Sequence, residues 1–336
     1  MDIDRHSPTA HSAWHDLLRL LLDDRVSDLR GTPTRVERNG RVYWYDSYRV
    51  GTDVRKTYIG EETPELLMRL DQHRELKAKA EARAHERARL VRILRAERFM
   101  GHDAATGSLL AAMASAGVFR LGGTVVGTHA FRLYEGEMGL RYRFDDLAQT
   151  GDLDIASFER LSVALDDRAS PPVAEVLSGF SFEPAPTLGN IPAWRWRQSK
   201  GNALVEFLTP AFGDEGQRPL VALGVSAQAL HHLNYLIAET IHAAVLYRSG
   251  VLVQIPRPER YAIHKLIVAS RREARDRLKA EKDRRQARFL IEALAEDRPD
   301  DLRDAYEDAK SRGPKWRERL EDTLAKMPDV AAILVL

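Results

Sequence analysis

Asp152 and Asp154 flank one apolar residue in Gly151-Asp152-Leu153-Asp154-Ile155. On a strand, residues i and i+2 face the same side, so both carboxylates project together while Leu153 and Ile155 turn inward. With Cα atoms roughly 6–7 Å apart and carboxylates near 4 Å, their repulsion is on the order of 4 kcal/mol at an effective dielectric of about 20. A divalent cation relieves that cost. Magnesium suits an all-oxygen site, keeps waters and bridges to substrate phosphates, and two such ions organise in-line attack at phosphorus. A third carboxylate is expected from a neighbouring strand. Glu206 supplies it, as the lone acid in the apolar run Asn202-Ala-Leu-Val-Glu-Phe-Leu-Thr-Pro210.

A second constellation precedes the acids. Thr124-Val125-Val126 is a β-branched run and predicts a strand, Gly127-Thr128 a turn, and HAFRLYEGEM a helix, with Phe131, Tyr134 and Met138 at helical spacing. A strand, a glycine turn and a helix start make an anion site: glycine lets a phosphate approach the backbone, and the free amides of the first helical turn point at it. The Thr128 hydroxyl adds a donor. Gly122-Gly123 is a rival turn; the β-branched run favours Gly127-Thr128. Taken singly, an Asp-x-Asp pair can be a solvated loop end and a Gly-Thr turn often only starts a helix. The combination with Glu206 is what points to metal and phosphate. His231-His232 has no ligand spacing, and adjacent helical positions diverge, so a structural role is expected for it.

These segments together, VVGTHAFRLYEGEMG, TGDLDI, VEFLTP and PERYAIHKLIVASRR, resemble the polymerase-beta-like nucleotidyltransferase superfamily. Within it they are similar to a bacterial family related to the nucleotidyltransferases of abortive-infection and toxin–antitoxin systems. The resemblance covers roughly residues 104–290. It implies an α/β (α+β) nucleotidyltransferase fold with a mixed sheet, and transfer of a nucleoside monophosphate from an NTP to an acceptor hydroxyl, with pyrophosphate released. Asp152, Asp154 and Glu206 would then be the catalytic residues and the ligands of Mg²⁺, two ions being expected. Gly127 and Thr128 would hold the nucleotide, with Lys265 and Arg271 neutralising triphosphate charge. The superfamily carries its glycine turn closer to the acids; here Gly127-Thr128 lies 24 residues before Asp152, so an insertion is implied.

The remaining chain must position these residues. The sequence has 336 residues, 51 Lys+Arg, 50 Asp+Glu, 11 His and no Cys. That length provides for two domains, or one large domain with appendages. Zero cysteines exclude a disulfide scaffold, thiolate metal centres and a cysteine nucleophile. Glycine-rich dinucleotide, P-loop, zincin and esterase signatures are absent. No apolar run approaches a membrane span, and the N-terminus does not read as a signal peptide; a cytoplasmic protein is expected. The division read from composition is an amphipathic helix within 1–29, with Trp14, Leu17, Leu18 and Leu21 at helical spacing from residue 12, and a basic-aromatic three-stranded module at 30–62. A long charged helix follows at 64–100, then the nucleotidyltransferase core at 104–257 and a helical C-terminal region at 258–336.

Charge is segregated. Residues 30–60 hold seven Lys/Arg and three acids, and residues 291–336 hold eight and twelve. In the first of these, Asn39-Gly40 is a hairpin signal, and aromatics alternate with cations. Arg41, Tyr43, Trp44 and Arg49 are therefore candidate nucleic-acid contacts, since aromatic faces stack bases and guanidinium groups bind phosphate. The other reading makes these aromatics the small core of a three-stranded sheet on a helix. RNA, with tRNA as the first guess, is the expected acceptor. A non-catalytic nucleic-acid binder on the same scaffold and a partner-protein component of toxin–antitoxin type are the alternatives.

Overall fold

The computed structural model describes residues 3–23, 32–38, 40–50, 53–142, 151–158, 167–186 and 193–335. The expected end of the first helix near residue 29, the turn residues Asn39, Gly51 and Thr52, and Thr150 lie outside them, as do the side chains of Tyr48, Arg49 and Arg55.

The first helix, α1 (Pro8–Asp23), starts earlier than its apolar periodicity suggested. Ser7 explains this: its Oγ accepts from the Ala10 amide at 3.2 Å, and Pro8 occupies the first helical position, where no amide bond is lost. Strands β1 (Thr32–Arg38), β2 (Arg41–Val50) and β3 (Asp53–Glu61) form an antiparallel meander, with Arg38 opposite Arg41 across the Gly40 turn. Helix α2 (Pro64–Ala96) begins on Thr63, whose hydroxyl accepts from the Leu66 amide. Trp44 (7% exposed) packs on Leu66 and Leu70 of this helix and donates Nε1–H to Glu62 at 2.9 Å. The structure thus puts Trp44 inside the small core, not on a binding face. A bulge between Trp44 and Tyr45 leaves Tyr43, Tyr45 and Tyr58 grouped on the other face, their rings 5.5–6.3 Å apart.

The remainder of the chain is built around a mixed α/β assembly, as the sequence implied. After α3 (Ala104–Ser115) come β4 (Thr124–Val126), α4 (Gly127–Met138) and β5 (Asp152–Ala156). Then follow α5 (Val173–Gly179), β6 (Phe182–Pro184), β7 (Arg195–Gln198), β8 (Leu204–Pro210), β9 (Gln217–Leu220) and β10 (Val225–Leu230). The strand order is β4-β5-β8-β10-β9, with β7 joining β8 and β6 joining β7. Within it β5, β8 and β10 are parallel, while β4, β7 and β9 run antiparallel to their neighbours. Helix α6 (Leu233–Leu236) leads into the separate hairpin β11 (Thr240–Val245) and β12 (Val251–Pro256). Helices α7 (Pro258–Arg271), α8 (Arg277–Asp297), α9 (Pro299–Ser311), α10 (Pro314–Leu324) and α11 (Pro328–Val335) complete the chain.

One continuous apolar core runs from α1 through the sheet to α11. Trp14, Leu17 and Leu21 of α1 are buried in it, and Gly136 of α4 lies so close to the Trp14 indole that a Cβ there would meet Nε1 at 2.1 Å. His6 reinforces the joint: it stacks on Phe99 at 3.6 Å and meets the buried Glu135 carboxylate at 2.9 Å. The other Glu135 oxygen accepts from the Met100 amide at 2.5 Å. Many acids of the C-terminal stretch are paired within the molecule, among them Asp308 with Arg260 and Arg312, Asp329 with Arg288, and Asp297 with Arg5. Among the described residues no helix is long and apolar enough to cross a membrane.

Removing the Trp14 side chain leaves a large void against Gly136. Trp14→Ala is therefore expected to destabilise the whole core by about 3–5 kcal/mol, read as a single shifted denaturant transition. A separate early transition, with the main one unmoved, would show that α1 is only an appendage.

Candidate active site

Strand pairing brings the three acids to one place. On the parallel strands β5 and β8, Asp154 lies directly opposite Glu206 and Asp152 opposite Leu204. Residues paired across neighbouring strands share a face, and alternation puts Asp152 on the face of Asp154. The intervening Leu153 and Ile155, with Val205 and Phe207, are buried on the opposite side. Hence the acids line the outward face of the sheet because the apolar residues between them fill the inward one. Asp152 is exposed, while Asp154 and Glu206 are half-buried.

The glycine turn meets them there. Val126, the last residue of β4, is opposite Asp154 on the other side of β5. Gly127 adopts φ +64, and a Cβ at this position would lie 2.4 Å from Asp154 Oδ2. Glycine is demanded twice, by the left-handed backbone and by the carboxylate pressed against its Cα. The carbonyl of Gly127 accepts from the Tyr261 hydroxyl of α7 at 2.9 Å, and this hydroxyl also lies 3.1 Å from Gln286 Oε1 of α8. Val126 provides no side-chain cap for α4, and the Thr128 hydroxyl has no partner among the described residues. The first turn of α4 therefore offers uncapped amides beside the acids, the geometry of an anion site at a helix start. Gly122, the rival turn, is exposed and precedes β4.

Charge in this corner is unevenly balanced. Burial, then the Glu206 and Asp152 carboxylates, push the Asp154 carboxyl up to about 7, against the opposing pull of Lys265 and Arg272. Lys265 is buried and ion-paired with Asp283 at 2.6 Å, and Arg272 holds the second Asp283 oxygen at 3.1 Å. Lys265 thus acts on Asp154 from within the helical layer, paired with the buried Asp283, whose other oxygen is held by the exposed Arg272. Lys282 is near enough to Asp152 for that carboxylate to favour its charged form. Glu206 is engaged by Arg195 of β7, Nε to Oε1 at 2.6 Å. Arg271 is turned elsewhere: its guanidinium binds Glu215 at 3.0 Å and donates to the His231 carbonyl at 3.2 Å. Sequence reading passed over Tyr261, Arg272, Lys282, Asp283 and Arg195. Tyr261 and Arg272 lie inside the PERYAIHKLIVASRR segment; the others carry no local signal, because only the packing of α8 and β7 brings them here.

Among the described residues no three His, Asp or Glu side chains already converge tightly enough to hold an ion alone. The donor chemistry nonetheless fits magnesium. The acids are all oxygen donors, burial and then neighbouring negative charge raise one of them, and this ion normally takes one or two carboxylates and completes its shell with water and substrate phosphate.

The sign of the pH effect follows from Asp154. A carboxyl held near 7 in the folded chain, and near 3.8 when unfolded, binds more protons folded than unfolded between those values, so stability is lost as pH rises through about 7. Asp154→Asn is expected to remove that loss and to raise metal-free stability at pH 8 by on the order of 2–4 kcal/mol. Millimolar Mg²⁺ should raise the Tm of the wild type at that pH and leave the variant unmoved. A wild-type stability flat between pH 5 and 8 would contradict the assigned environment.

With this geometry in view, comparison with known proteins is informative. The family model described as nucleotidyltransferase matches residues 104–311, which is more than half of the chain and spans β4, β5, β8 and the α7–α8 layer. Residues 12–68 match a domain of unknown function, DUF6788. No curated protein and no solved structure matches. The carboxylates, the glycine turn and the cationic layer behind them all fall inside the first match, and the chain belongs to the nucleotidyltransferase family.

Proposed function

We propose that this protein transfers a nucleoside monophosphate from an NTP to an acceptor hydroxyl in a magnesium-dependent reaction that releases pyrophosphate. The observation that carries the proposal is that Asp154 is paired opposite Glu206 and pressed against the Gly127 turn: acids suited to a cation stand beside amides suited to phosphate. Asp152 and Asp154 would hold the magnesium, with Glu206 as the third oxygen donor, shared with Arg195. When bound, magnesium neutralises the triphosphate and withdraws charge from the phosphorus under attack.

The protein's own groups supply the rest. The α4 amides and the Thr128 hydroxyl bind terminal phosphate oxygens. Tyr261 fixes the Gly127 carbonyl, so the turn keeps its shape when a polyanion arrives. Lys265 and Arg272 lower the cost of charge on Asp154 from behind. The proton of the acceptor hydroxyl passes to a carboxylate oxygen of the Asp152–Asp154 pair as the oxygen bonds to the α-phosphorus and pyrophosphate leaves. For the acceptor we favour RNA. The open face of the N-terminal sheet supports this, with Tyr43, Tyr45 and the exposed Tyr58 near Arg41 and Lys56.

The protein incubated with labelled NTPs, Mg²⁺ and total cellular RNA is expected to release pyrophosphate and to transfer label. Asp152→Asn should reduce turnover at least about a hundredfold, beyond the 10–100-fold typical of an outer-shell partner. Gly127→Ala, which drives a methyl into Asp154, should reduce it by a comparable factor. Undiminished turnover in Asp152→Asn would eliminate the site.

A further inference from the structure

Away from the carboxylates, a cavity of about 750 Å³ opens where the end of α2, the start of α3, the flank of α4 and the β11–β12 turn meet. Three arginines from three different elements line it: Arg95 of α2, Arg132 of α4 and Arg248 of the turn. We propose that this pocket receives the phosphodiester backbone of a polynucleotide acceptor. The inference rests on the nucleotidyl-transfer reading above and names the chemistry of its second substrate.

The case is one of uncompensated charge. Many arginines of this molecule are matched with carboxylates, Arg5, Arg120, Arg195, Arg257, Arg260 and Arg298 among them, whereas others, such as Arg317 and Arg319, bind backbone carbonyls. The pocket gathers arginines of the second kind. Arg95 donates Nη2–H to the Leu246 carbonyl at 2.8 Å, Arg132 donates to the Gly101 carbonyl, and Arg248 lies over the Tyr247 ring at 5.2 Å. Among the described residues neither Arg95 nor Arg248 has a carboxylate partner. At Arg95 and Arg248 a carbonyl and a ring orient the guanidinium group without cancelling its charge, which leaves donors for an incoming anion. The one acid in the lining, Asp103, caps α3 and accepts from the Thr106 amide at 2.9 Å and its hydroxyl at 2.6 Å. It is thus spent on its own helix.

Two further observations point to a polar ligand. His102 lines the cavity and is 6% exposed, and both of its ring nitrogens lack a protein partner. It stacks at 5.3 Å on His129, whose Nδ1 is also unpartnered. Buried polar atoms without partners are uncommon and mark places completed from outside. His129 also places this pocket beside the glycine turn: it sits in the first turn of α4, two residues past Gly127.

The ligand is an extended anion because the cations continue past the pocket. Arg92 lies on the same face of α2 as Arg95, three residues before it, and is exposed without a carboxylate partner among the described residues. Arg87, two turns back, reaches the same β11–β12 turn through the Ser249 carbonyl at 3.1 Å. A row of guanidinium groups leading out of a pocket suits a polyanion better than a single phosphate.

The test uses the full chain without NTP or magnesium, so that it reads binding alone. A short fluorescein-labelled single-stranded RNA, and DNA of the same sequence, are titrated by anisotropy at several salt concentrations. Arg95→Gln combined with Arg248→Asn, asparagine being tolerant of the left-handed backbone at residue 248, is expected to weaken binding about tenfold. It should also lower the salt slope by roughly 1.4, the loss of two single-strand phosphate contacts. Equal losses with RNA and DNA assign backbone recognition alone; a loss confined to RNA adds the ribose hydroxyl. On the unmodified protein, phenylglyoxal labelling read by mass spectrometry should find Arg95 and Arg248 shielded by the oligonucleotide, a readout independent of how the variants fold. Unchanged affinity and slope, no shielding, or equal shielding by NTP alone would overturn the proposal. Pyrophosphate release by the wild type stands apart from every one of these outcomes, so failure here and failure of the transfer reading can be told apart.

Discussion

Like charges held together on adjacent strands are the constraint around which this molecule is arranged. A parallel pairing that sets Asp154 against Glu206 is unfavourable unless something relieves it, and the surroundings carry the relief in layers. Arg195 takes one Glu206 oxygen, Lys265 and Arg272 act from the helices behind, and the remainder is left uncancelled at Asp154. Buried charge of this kind is rare where stability alone is selected. It is common where a protein stores an electrostatic imbalance for a ligand to resolve.

The cations behind the acids, the buried Lys265 and the exposed Arg272, show how the imbalance is shared. Lys265 and Arg272 share a single acceptor, Asp283, itself only 3% exposed. Two positive groups on one carboxylate leave a net positive excess inside the C-terminal layer, facing the net negative excess of the sheet. The helical layer is also joined to α4 by the Tyr261 ring, which meets Phe131 and Tyr134. The Tyr261 hydroxyl at the Gly127 carbonyl is the point where the helical layer reaches the glycine turn. Residues remote in sequence thus set the position of two consecutive amides.

Much of this was legible in the chain. The Asp-x-Asp alternation, the lone acid of β8 and the β-branched run before Gly127 announced their strands, because strand periodicity and burial are local signals. The α2 start was equally plain from Pro64, a residue the first helical turn accepts. Three things were not. Trp44 was placed among possible ligand contacts, and alternation alone could not tell which side of a two-faced sheet the α2 residues Leu66 and Leu70 would cover. Lys265 and Arg271 were grouped as triphosphate cations from their neighbourhood in sequence, yet the structure gives them different acids, Asp283 and Glu215. Pairing across 18 and 56 residues has no local signature. The arginines of α2 read only as part of a long charged helix, since it is the arrival of the β11–β12 turn that makes a pocket beside Arg95.

The embedding of α1 bears on how such a protein can be assembled in evolution. Its indole fills the notch that Gly136 leaves, yet α1 falls largely within the segment matched as a domain of unknown function, while Gly136 lies in the catalytic match. A seam between two sequence families therefore runs through the middle of one hydrophobic interior. A lineage that acquired either segment alone would carry an open greasy groove or an unsupported helix, so the two must be inherited as a unit and can diverge only in step.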